Sequence, residues 1–372
     1  MNQKVGTQIS ARTFAHSTTI LFVFVLLSAC GPAAQSEASL SSTSPSLTPR
    51  LSSLLTASPV PTQTLTATVA PTVTPAHSLS VEYLQQQSYS GELIIEEDLD
   101  HEDAYYRYIV SYLSEGYKNF ALLTVPSDDA PETGWPVIVF NHGYIEPDVY
   151  NTTQGYEAYM HPFAESGYII LRPDYRGHGN SEGEPRNTYF HQGNTIDVLN
   201  AVAAVKQWET ADPDRIGMWS HSMGGWISMR AMVIDPDIRV GVIWAGVLGS
   251  YEDLCVHWFN CDNWDDETWA FWSETPFAEY GLPGENEAFW TAASTDTYLS
   301  ELEGVVQLHH ATTDAAVPVA LSQVMYEKML AEGIVVSLHE YPGDDHNISQ
   351  TFELAMKRSL NFFEVYLKGI GN

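Results

Sequence analysis

Hydrophobic residues along most of the chain fall into short apolar runs that alternate with stretches of helical spacing. Residues 137–141 (VIVFN) form an apolar run that stops at His142 and Gly143, as is typical of a strand buried within a sheet. Residues 193–208 instead repeat apolar side chains every three or four positions, which predicts a helix packed on that sheet. Strands that alternate with such helices predict an α/β fold, with a mostly parallel sheet and helices on both faces.

The same pattern predicts a series of elements from about residue 81 to the end of the chain. An antiparallel pair of strands opens the series at 105–113 and 120–125. Further strands are expected at 137–141, 168–171, 216–219, 240–245, 305–309 and 335–341, with helices at 193–208, 223–234, 319–332 and 349–367. No internal repeat of 20–50 residues is present, which excludes solenoids and propellers.

The beginning of the chain follows a different pattern. A basic segment precedes a short apolar core at 20–27 that is too short to span a bilayer, so residues 1–29 are interpreted as an export signal. The signal ends Leu27-Ser28-Ala29-Cys30, which resembles the lipobox of bacterial lipoproteins. That resemblance implies cleavage before Cys30, lipidation of its thiol and amine, and an exported, cell-surface lipoprotein anchored to the membrane. An ordinary cleaved signal peptide is the alternative.

Residues 31–80 differ in composition from everything that follows. Ser, Thr and Pro make up 27 of these 50 residues, and no aromatic residue occurs among them. Such a segment buries too little apolar surface to offset the entropy of ordering it. We therefore expect residues 30–80 to be a lipidated cysteine with a disordered stalk, and residues 81–372 to be a catalytic domain.

Charge and cysteine content exclude several classes of function. The 372 residues include 16 Lys+Arg and 47 Asp+Glu, and the resulting net charge of −31 repels phosphate backbones, so no nucleic-acid partner is expected. Three cysteines without metal-ligand spacing, and the lack of a phosphate-binding glycine loop, imply no metal and no cofactor. Cys255 and Cys261 lie six residues apart, and the sequence leaves open whether they form a disulfide.

Residues 217–225 (GMWSHSMGG) run from an apolar strand directly into a helix. This arrangement is typical of a nucleophile elbow, in which a tight turn exposes a serine, here Ser222, above the sheet. Small residues are needed two positions before and after the serine. Gly224 satisfies one requirement, whereas Ser220 stands where glycine is usual. Because Ser222 precedes the helix, the N–H of Met223 is a candidate donor to an oxyanion.

A serine hydroxyl needs a base, and in this fold an acid and a histidine follow the serine at the ends of later strands. Asp314 follows the strand at 305–309, and His346 follows the next one. We predict that Ser222, Asp314 and His346 form a catalytic triad, in which Asp314 orients the base His346. The second oxyanion donor is expected after residues 137–141, and the N–H of Tyr144 is the candidate.

Other polar residues near these positions have alternative interpretations. His142 is a second candidate for a catalytic histidine, although its place beside a glycine favours a role in loop structure. Asp344 and Asp345 compete with Asp314 as the acid, but they adjoin the histidine too closely and are interpreted as shaping its loop or raising its pKa. His309 and His310 are interpreted as structural.

These residues together resemble the catalytic domain of prolyl-oligopeptidase-like serine peptidases and the dienelactone-hydrolase-like esterases. The resemblance covers roughly residues 105–250 and 300–370, and it implies the α/β-hydrolase fold. It is carried by 141–143 (NHG), 172–181 (RPDYRGHGNS), 219–225, Asp314 with 317–318 (VP), and 341–343 (YPG) before His346. The peptidases often carry a propeller that selects oligopeptides by size. With only about 50 residues before the core, such selection is in doubt here.

The segment at about 247–303 is too long for a simple connection and resembles the lid of α/β-hydrolases. From residue 250 to 303 it contains twelve aromatic residues and thirteen Asp+Glu, with no Lys or Arg. Most of the aromatic residues are interpreted as the core of the lid itself. The acidic surface favours a small neutral or cationic peptide, amide or ester as substrate, such as one with a free amino terminus.

Three functions are compatible with these features. The first is a serine peptidase that cleaves small peptides or amides through an acyl-enzyme. The second is a carboxylesterase for small neutral esters, which would use the same triad. The third is a surface binding protein on an inactive hydrolase scaffold, although no member of the triad is missing.

Overall fold

The computed structural model describes residues 76–369, except the side chain of Phe271. A nine-stranded sheet runs through this part of the chain. The strands are β1 (Ile94–Asp98), β2 (Tyr105–Ser114), β3 (Tyr117–Pro126), β4 (Trp135–Asn141), β5 (Ile169–Pro173), β6 (Ala211–His221), β7 (Ile238–Trp244), β8 (Val305–Ala311) and β9 (Val336–Tyr341). Their spatial order is β1-β2-β3-β5-β4-β6-β7-β8-β9. Neighbours from β5 to β9 are parallel, and β1 to β3 extend one edge antiparallel. The predicted mostly parallel sheet is confirmed.

Helices connect and cover these strands. In chain order they are α1 (Val81–Gln85), α2 (Glu157–Glu165), α3 (Gly193–Val205), α4 (Met223–Ile234), α5 (Tyr251–Leu254), α6 (Asp266–Trp272), α7 (Pro276–Tyr280), α8 (Glu287–Ala293), α9 (Val319–Ala331) and α10 (Phe352–Tyr366). Among these described helices, none is long and apolar enough to cross a membrane.

The apolar run of β4 shows how the two faces of the sheet are filled. Val137 and Val139 belong to a core cluster with residues of α3, α4 and α9, whereas Ile138 and Phe140 belong to a second cluster with residues of α2 and α10. All four side chains are fully buried. Because successive side chains of a strand point to opposite faces, a strand covered on both faces has to be apolar at every position.

Helix α2 is the main element that the apolar pattern did not predict. It contains Pro162, which usually interrupts a helix, and it follows two residues with positive φ, Gly155 and Tyr156. Its buried residues Met160 and Phe163 nevertheless have helical spacing and pack on the sheet. Tertiary packing therefore outweighs the local signals against a helix.

The folded part of the chain begins before residue 81. Leu79 is buried against the third core cluster, and the side chain of Ser80 accepts a hydrogen bond from the N–H of Tyr83 as the cap of α1. Residues 76–80, which composition alone assigns to the stalk, therefore belong to the domain. The signal, Cys30 and the rest of the stalk lie outside the described residues.

The segment predicted as a lid forms α5 to α8 with short 3₁₀ and π turns between β7 and β8. A disulfide joins Cys255 to Cys261 within it. Its aromatic core includes Phe277 and Trp290 and extends onto Trp226 of α4. The prediction that these aromatic residues pack with one another therefore agrees with the structure, but their core also includes residues of the main domain.

One cation holds both ends of this lid. The ammonium of Lys328, on α9, lies 2.6 Å from carboxylate oxygens of both Asp253 and Asp296. Those two acids lie near the beginning and the end of the segment. Lys328 therefore ties the lid to the main domain at two points.

The loop after β5 is fixed by a buried ion pair. Arg176 donates from its backbone N–H and from its guanidinium to Asp197 of α3, with distances of 2.7–2.9 Å. Its guanidinium also lies 2.8 Å from Glu115. The side chain of Asp197 is fully buried, so its charge depends on Arg176 for compensation.

We predict that Arg176→Met lowers the free energy of unfolding by about 3–5 kcal/mol, because it leaves Asp197 charged and buried without its partner. Arg239→Met is the control, since its pair with Glu303 is solvent-exposed and should contribute less than about 1 kcal/mol. Urea unfolding of both variants measures the difference. Equal losses would contradict the assignment.

Candidate active site

Ser222 occupies the turn between β6 and α4. Its φ of +54° and ψ of −121° are a strained conformation for a residue with a side chain, as expected of a nucleophile elbow. A Cβ atom on Gly224 would lie 2.1 Å from the carbonyl oxygen of Asn141, so only glycine lets α4 begin this close to β4. The expected elbow geometry is therefore present around Ser222.

Ser220 is the residue that departs from the usual glycine. It is fully buried, and it pairs with Asn141 of β4 in the parallel register. Its hydroxyl has no hydrogen-bond partner among the described residues. The turn thus accommodates a serine at this position, at the expense of one buried polar group without a partner.

The carboxyl ends of β8 and β9 bring Asp314 and His346 together. His346 Nδ1 lies 2.7 Å from Asp314 Oδ2. The other oxygen of Asp314 accepts the N–H groups of Ala316 and Val317 at 2.8 and 3.0 Å. These contacts fix the carboxylate, and because Nδ1 faces it, the histidine ring leaves Nε2 for proton transfer.

The charge on Asp314 is stabilised by its surroundings. Burial raises the pKa of this carboxyl group, but hydrogen bonds from His310, His346 and the Val317 N–H outweigh burial and hold the pKa below its ordinary value. Asp314 therefore stays ionised at neutral pH, as the orienting acid of a triad must.

Asp344 and Asp345 organise the loop that carries His346. Asp344 accepts the N–H groups of Asp345, Gln350 and Thr351 at 2.9–3.0 Å. Asp345 itself accepts two further N–H groups of the same loop. These contacts agree with the interpretation that both acids shape the loop, while Asp314 is the carboxylate bonded to His346.

Gly143 brings the loop after β4 against the elbow. A Cβ atom built on it would lie 3.1 Å from the Cβ of Ser222. Its own N–H donates to the hydroxyl of Tyr156 at 2.9 Å. The N–H groups of Tyr144 and Met223 donate to no other described residue, so both remain free to serve an oxyanion beside Ser222.

His142 is enclosed in aromatic side chains. Its ring stacks on Tyr175 and Tyr150, with centroid distances of 4.3 and 4.9 Å, and it is fully buried. Burial lowers the pKa of His142 to about 3. A neutral, enclosed ring cannot reach a substrate, so His142 supports the loop rather than acting as a second base.

Three residues at this site were not assigned to it from the sequence, and one of them, His310, was interpreted there as structural although it contacts the acid Asp314. His310 Nε2 lies 3.3 Å from Asp314 Oδ2, and its Nδ1 lies 2.7 Å from the hydroxyl of Ser322. His221 and Tyr156 contact each other at 2.8 Å beside Ser222. The adjacency of His221 to Ser222 was a signal in the sequence, whereas nothing in the sequence pointed to Tyr156.

Ser222 Oγ forms no hydrogen bond with any residue in the described range. Such contacts are often long in the absence of substrate and shorten when it binds. The arrangement therefore supplies a partly exposed serine, an oriented imidazole, a buried carboxylate and two N–H groups without a described partner, which is the set that acyl transfer requires.

Comparison with known proteins agrees with this chemistry. Residues 154–369 match the family described as the prolyl oligopeptidase family. Dipeptidyl peptidase 8 of Mus musculus is 23% identical over 246 residues, which are 63% of this chain and 25% of that protein. The chain thus spans about a quarter of the length of that relative.

Two solved structures illustrate the likeness in fold. Pyrococcus horikoshii acylaminoacyl peptidase superposes with a TM-score of 0.57 at 21% identity, over 72% of this chain and 42% of that one. An acetyl xylan esterase from Paenibacillus sp. R4 superposes with a TM-score of 0.59 at 16% identity, over 77% of this chain and 92% of that one. The α/β-hydrolase fold is confirmed.

We predict that Gly224→Ala lowers the free energy of unfolding by about 3 kcal/mol, because the added methyl group overlaps the carbonyl oxygen of Asn141 and forces the backbone apart. Turnover of an acyl ester should fall as well, since the same shift displaces Ser222. Gly284→Ala is the control, because a Cβ there meets no atom within 4 Å. Thermal unfolding and ester hydrolysis are measured together. Full activity in Gly224→Ala would argue against the tight turn.

Proposed function

The chain belongs to the prolyl oligopeptidase family and is a serine hydrolase, and from this premise we propose that it is a peptidase for small peptides or amides. Ser222 is the nucleophile, His346 the general base and Asp314 the residue that orients it. The N–H groups of Met223 and Tyr144 form the oxyanion hole. The observation that carries the proposal is the 2.7 Å contact between His346 and Asp314, in the loops beside a strained Ser222, within a peptidase family.

The reaction proceeds in two half-reactions. The oxygen of Ser222 bonds to the carbonyl carbon of the substrate while its proton passes to His346 Nε2, and the oxyanion accepts the two N–H groups. The carbon–nitrogen bond then breaks as His346 gives that proton to the departing amine. Water, deprotonated by the same imidazole, releases the acid and restores Ser222.

The acidic charge of the lid favours the proposal that the substrate is neutral or cationic. Three of its thirteen acids are paired with a cation, namely Asp253 and Asp296 with Lys328, and Glu303 with Arg239. The other ten have no Lys or Arg partner among the described residues. Their field repels anionic ligands and attracts a protonated amino terminus.

The amino-terminal segment is the basis for a proposal on where the protein is located. We infer that Cys30 carries the lipid after cleavage of residues 1–29, and that the Ser/Thr/Pro-rich stalk holds the enzyme at the cell surface. The support is sequence alone: the Leu27-Ser28-Ala29-Cys30 motif behind a short apolar core, followed by 50 residues that lack aromatic side chains.

We predict that a fluorophosphonate labels the protein and that Ser222→Ala abolishes the labelling, because the label bonds to the activated hydroxyl. Ser127→Ala is the control, since Ser127 directly follows β3, away from the loops of the triad, and its hydroxyl bonds the backbone carbonyl of Asp103 and takes no part in the chemistry. Its labelling should stay within about twofold of the parent. A folded parent that takes no label would instead favour the inactive binding scaffold.

The same preparations decide between peptidase and esterase. Aminoacyl and dipeptidyl amides with a free amino terminus are compared with short acyl esters. The peptidase proposal expects amide hydrolysis, and N-acetylation of those amides should lower kcat/KM by about tenfold, because it removes the charge that the lid attracts. Activity confined to acyl esters would contradict the peptidase proposal and support the carboxylesterase.

We predict that Cys30→Ala converts the protein from a membrane-associated to a released form. Acyl chains provide most of the membrane affinity, and alanine offers no thiol to carry one. Detergent phase partitioning of cell fractions measures the change, with Cys255→Ala as a control that removes a different cysteine. Equal partitioning of Cys30→Ala and its parent would favour an ordinary signal peptide.

A further inference from the structure

A chain of three hydrogen bonds crosses the active site beside Ser222. The N–H of Gly143 lies 2.9 Å from the hydroxyl oxygen of Tyr156, and that oxygen lies 2.8 Å from Nδ1 of His221. The other ring nitrogen of His221, Nε2, lies 3.1 Å from the backbone carbonyl oxygen of His346. The chain therefore begins in the loop after β4, passes the residue before the nucleophile and ends at the base.

The direction of every bond in this chain follows from its two ends. A backbone N–H can only donate, so the oxygen of Tyr156 accepts from Gly143. A carbonyl oxygen can only accept, so Nε2 of His221 carries a proton and donates it in the hydrogen bond to the backbone carbonyl of His346. A neutral imidazole has one proton, which leaves Nδ1 bare to accept from Tyr156. With a neutral ring, only one arrangement satisfies all three contacts, and in it the hydroxyl of Tyr156 donates to Nδ1 of His221.

The surroundings favour that arrangement. Burial lowers the pKa of His221 to about 4, with repulsion from His346 contributing, so the ring is neutral near pH 7. Burial also raises the pKa of Tyr156, which therefore keeps its proton. The ring of Tyr156 packs edge-on against Phe140, with a centroid distance of 5.6 Å. Both members of the chain are thus held in the required protonation state.

Tyr156 is itself fixed by the loop after β4. Its φ is +66°, an uncommon value for a bulky residue, and it directly precedes α2. The guanidinium of Arg172 holds the carbonyl oxygens of Thr152, Gln154 and Gly155 in the turn before it. Arg172 therefore clamps the segment that presents the tyrosine hydroxyl.

We propose that Tyr156 and His221 are positioning residues that set the oxyanion loop and the base loop at a fixed separation across Ser222. This inference rests on the proposed acyl transfer at Ser222. Gly143 directly precedes the oxyanion donor Tyr144, and the carbonyl of His346 belongs to the base itself. The hydrogen-bond chain therefore connects the group that stabilises the oxyanion to the group that moves the proton. In this role neither Tyr156 nor His221 contacts the substrate.

The proposal predicts a specific split between kinetic constants. Tyr156→Phe keeps the ring and removes the hydroxyl, so the two loops lose their connection while the substrate pocket keeps its shape. We expect kcat for a p-nitrophenyl acyl ester to fall by about tenfold to a hundredfold, because small displacements at a reacting centre have effects of this size. KM should change by less than about threefold, since no substrate contact is removed.

Substitutions of His221 test the direction of the bonds. Leucine removes both polar atoms, whereas the amide of glutamine offers one acceptor and one donor at a similar separation. We expect His221→Leu to lose kcat to the same extent as Tyr156→Phe, and His221→Gln to recover at least half of that loss on a logarithmic scale. If Tyr156→Phe fails to fold, this pair alone decides, and equal activities in Leu and Gln would overturn the proposal.

A double-mutant cycle tests whether the two residues act through one chain. Tyr156→Phe combined with His221→Leu should be no slower than the slower single variant, because either change breaks the same connection. Tyr168→Phe is the control for loss of a tyrosine hydroxyl. Tyr168 lies just before the start of β5, at the end of the parallel strands that is opposite the active site, and its hydroxyl bonds Glu364. Its kcat should stay within about twofold of the parent.

The outcomes separate this inference from the proposed function. Additive effects in the cycle, or a kcat within twofold of the parent in a folded Tyr156→Phe, would overturn the positioning role. Failure of the parent to hydrolyse the ester or to react with a fluorophosphonate would instead overturn acyl transfer itself. Because the ester and the label need only an active serine, the result does not depend on whether the natural substrate is a peptide.

Discussion

At Ser222 the backbone turns from a strand into a helix within one residue. The residue has a positive φ there, which is unfavourable for a residue with a side chain. Three backbone hydrogen bonds hold it there: the N–H of Ser222 donates to Trp244, and its carbonyl accepts from Gly225 and Val247, all at 2.9–3.0 Å. The strained conformation persists because these hydrogen bonds hold it in place. The free N–H groups at the start of α4 and the partly exposed hydroxyl both result from this one turn.

The parallel sheet places the remaining groups around that turn. Loops from the carboxyl ends of β4, β8 and β9 meet at the same edge, and each supplies one part of the site. The carboxylate from β8 is buried, ionised and shared between His346 and His310. A buried charge of this kind is tolerated only with several hydrogen bonds, which is why the loop after β8 donates two N–H groups to it.

The lid differs from the rest of the molecule in how it is held. Its interior is aromatic and continuous with the core over α4, whereas its surface is acidic and is tied to the domain by Lys328. Aromatic packing fixes its position without requiring charge balance on the outside. The lid can therefore carry an excess of carboxylates on its surface.

Much of this could be read from the chain by itself. Apolar runs predicted the central strands, since strands buried on both faces must be apolar throughout. The tight turn requires small residues around Ser222, and the order of serine, aspartate and histidine follows from the sheet. The helix with Pro162 could not be predicted in this way, because its local signals oppose a helix and only packing against β3, β5 and α10 supports it.

Tertiary structure alone decided which polar residues meet. Tyr156 lies 65 positions from His221, and His221 lies 125 positions from His346, yet the three form one hydrogen-bonded chain. A local pattern cannot encode such contacts, because they depend on where loops from different strands converge. The sequence by itself determined the fold class and the residue types needed for acyl transfer. The convergence of loops at one edge of the sheet decided which residues hold those groups in position, because contact between distant segments exists only once the sheet has formed.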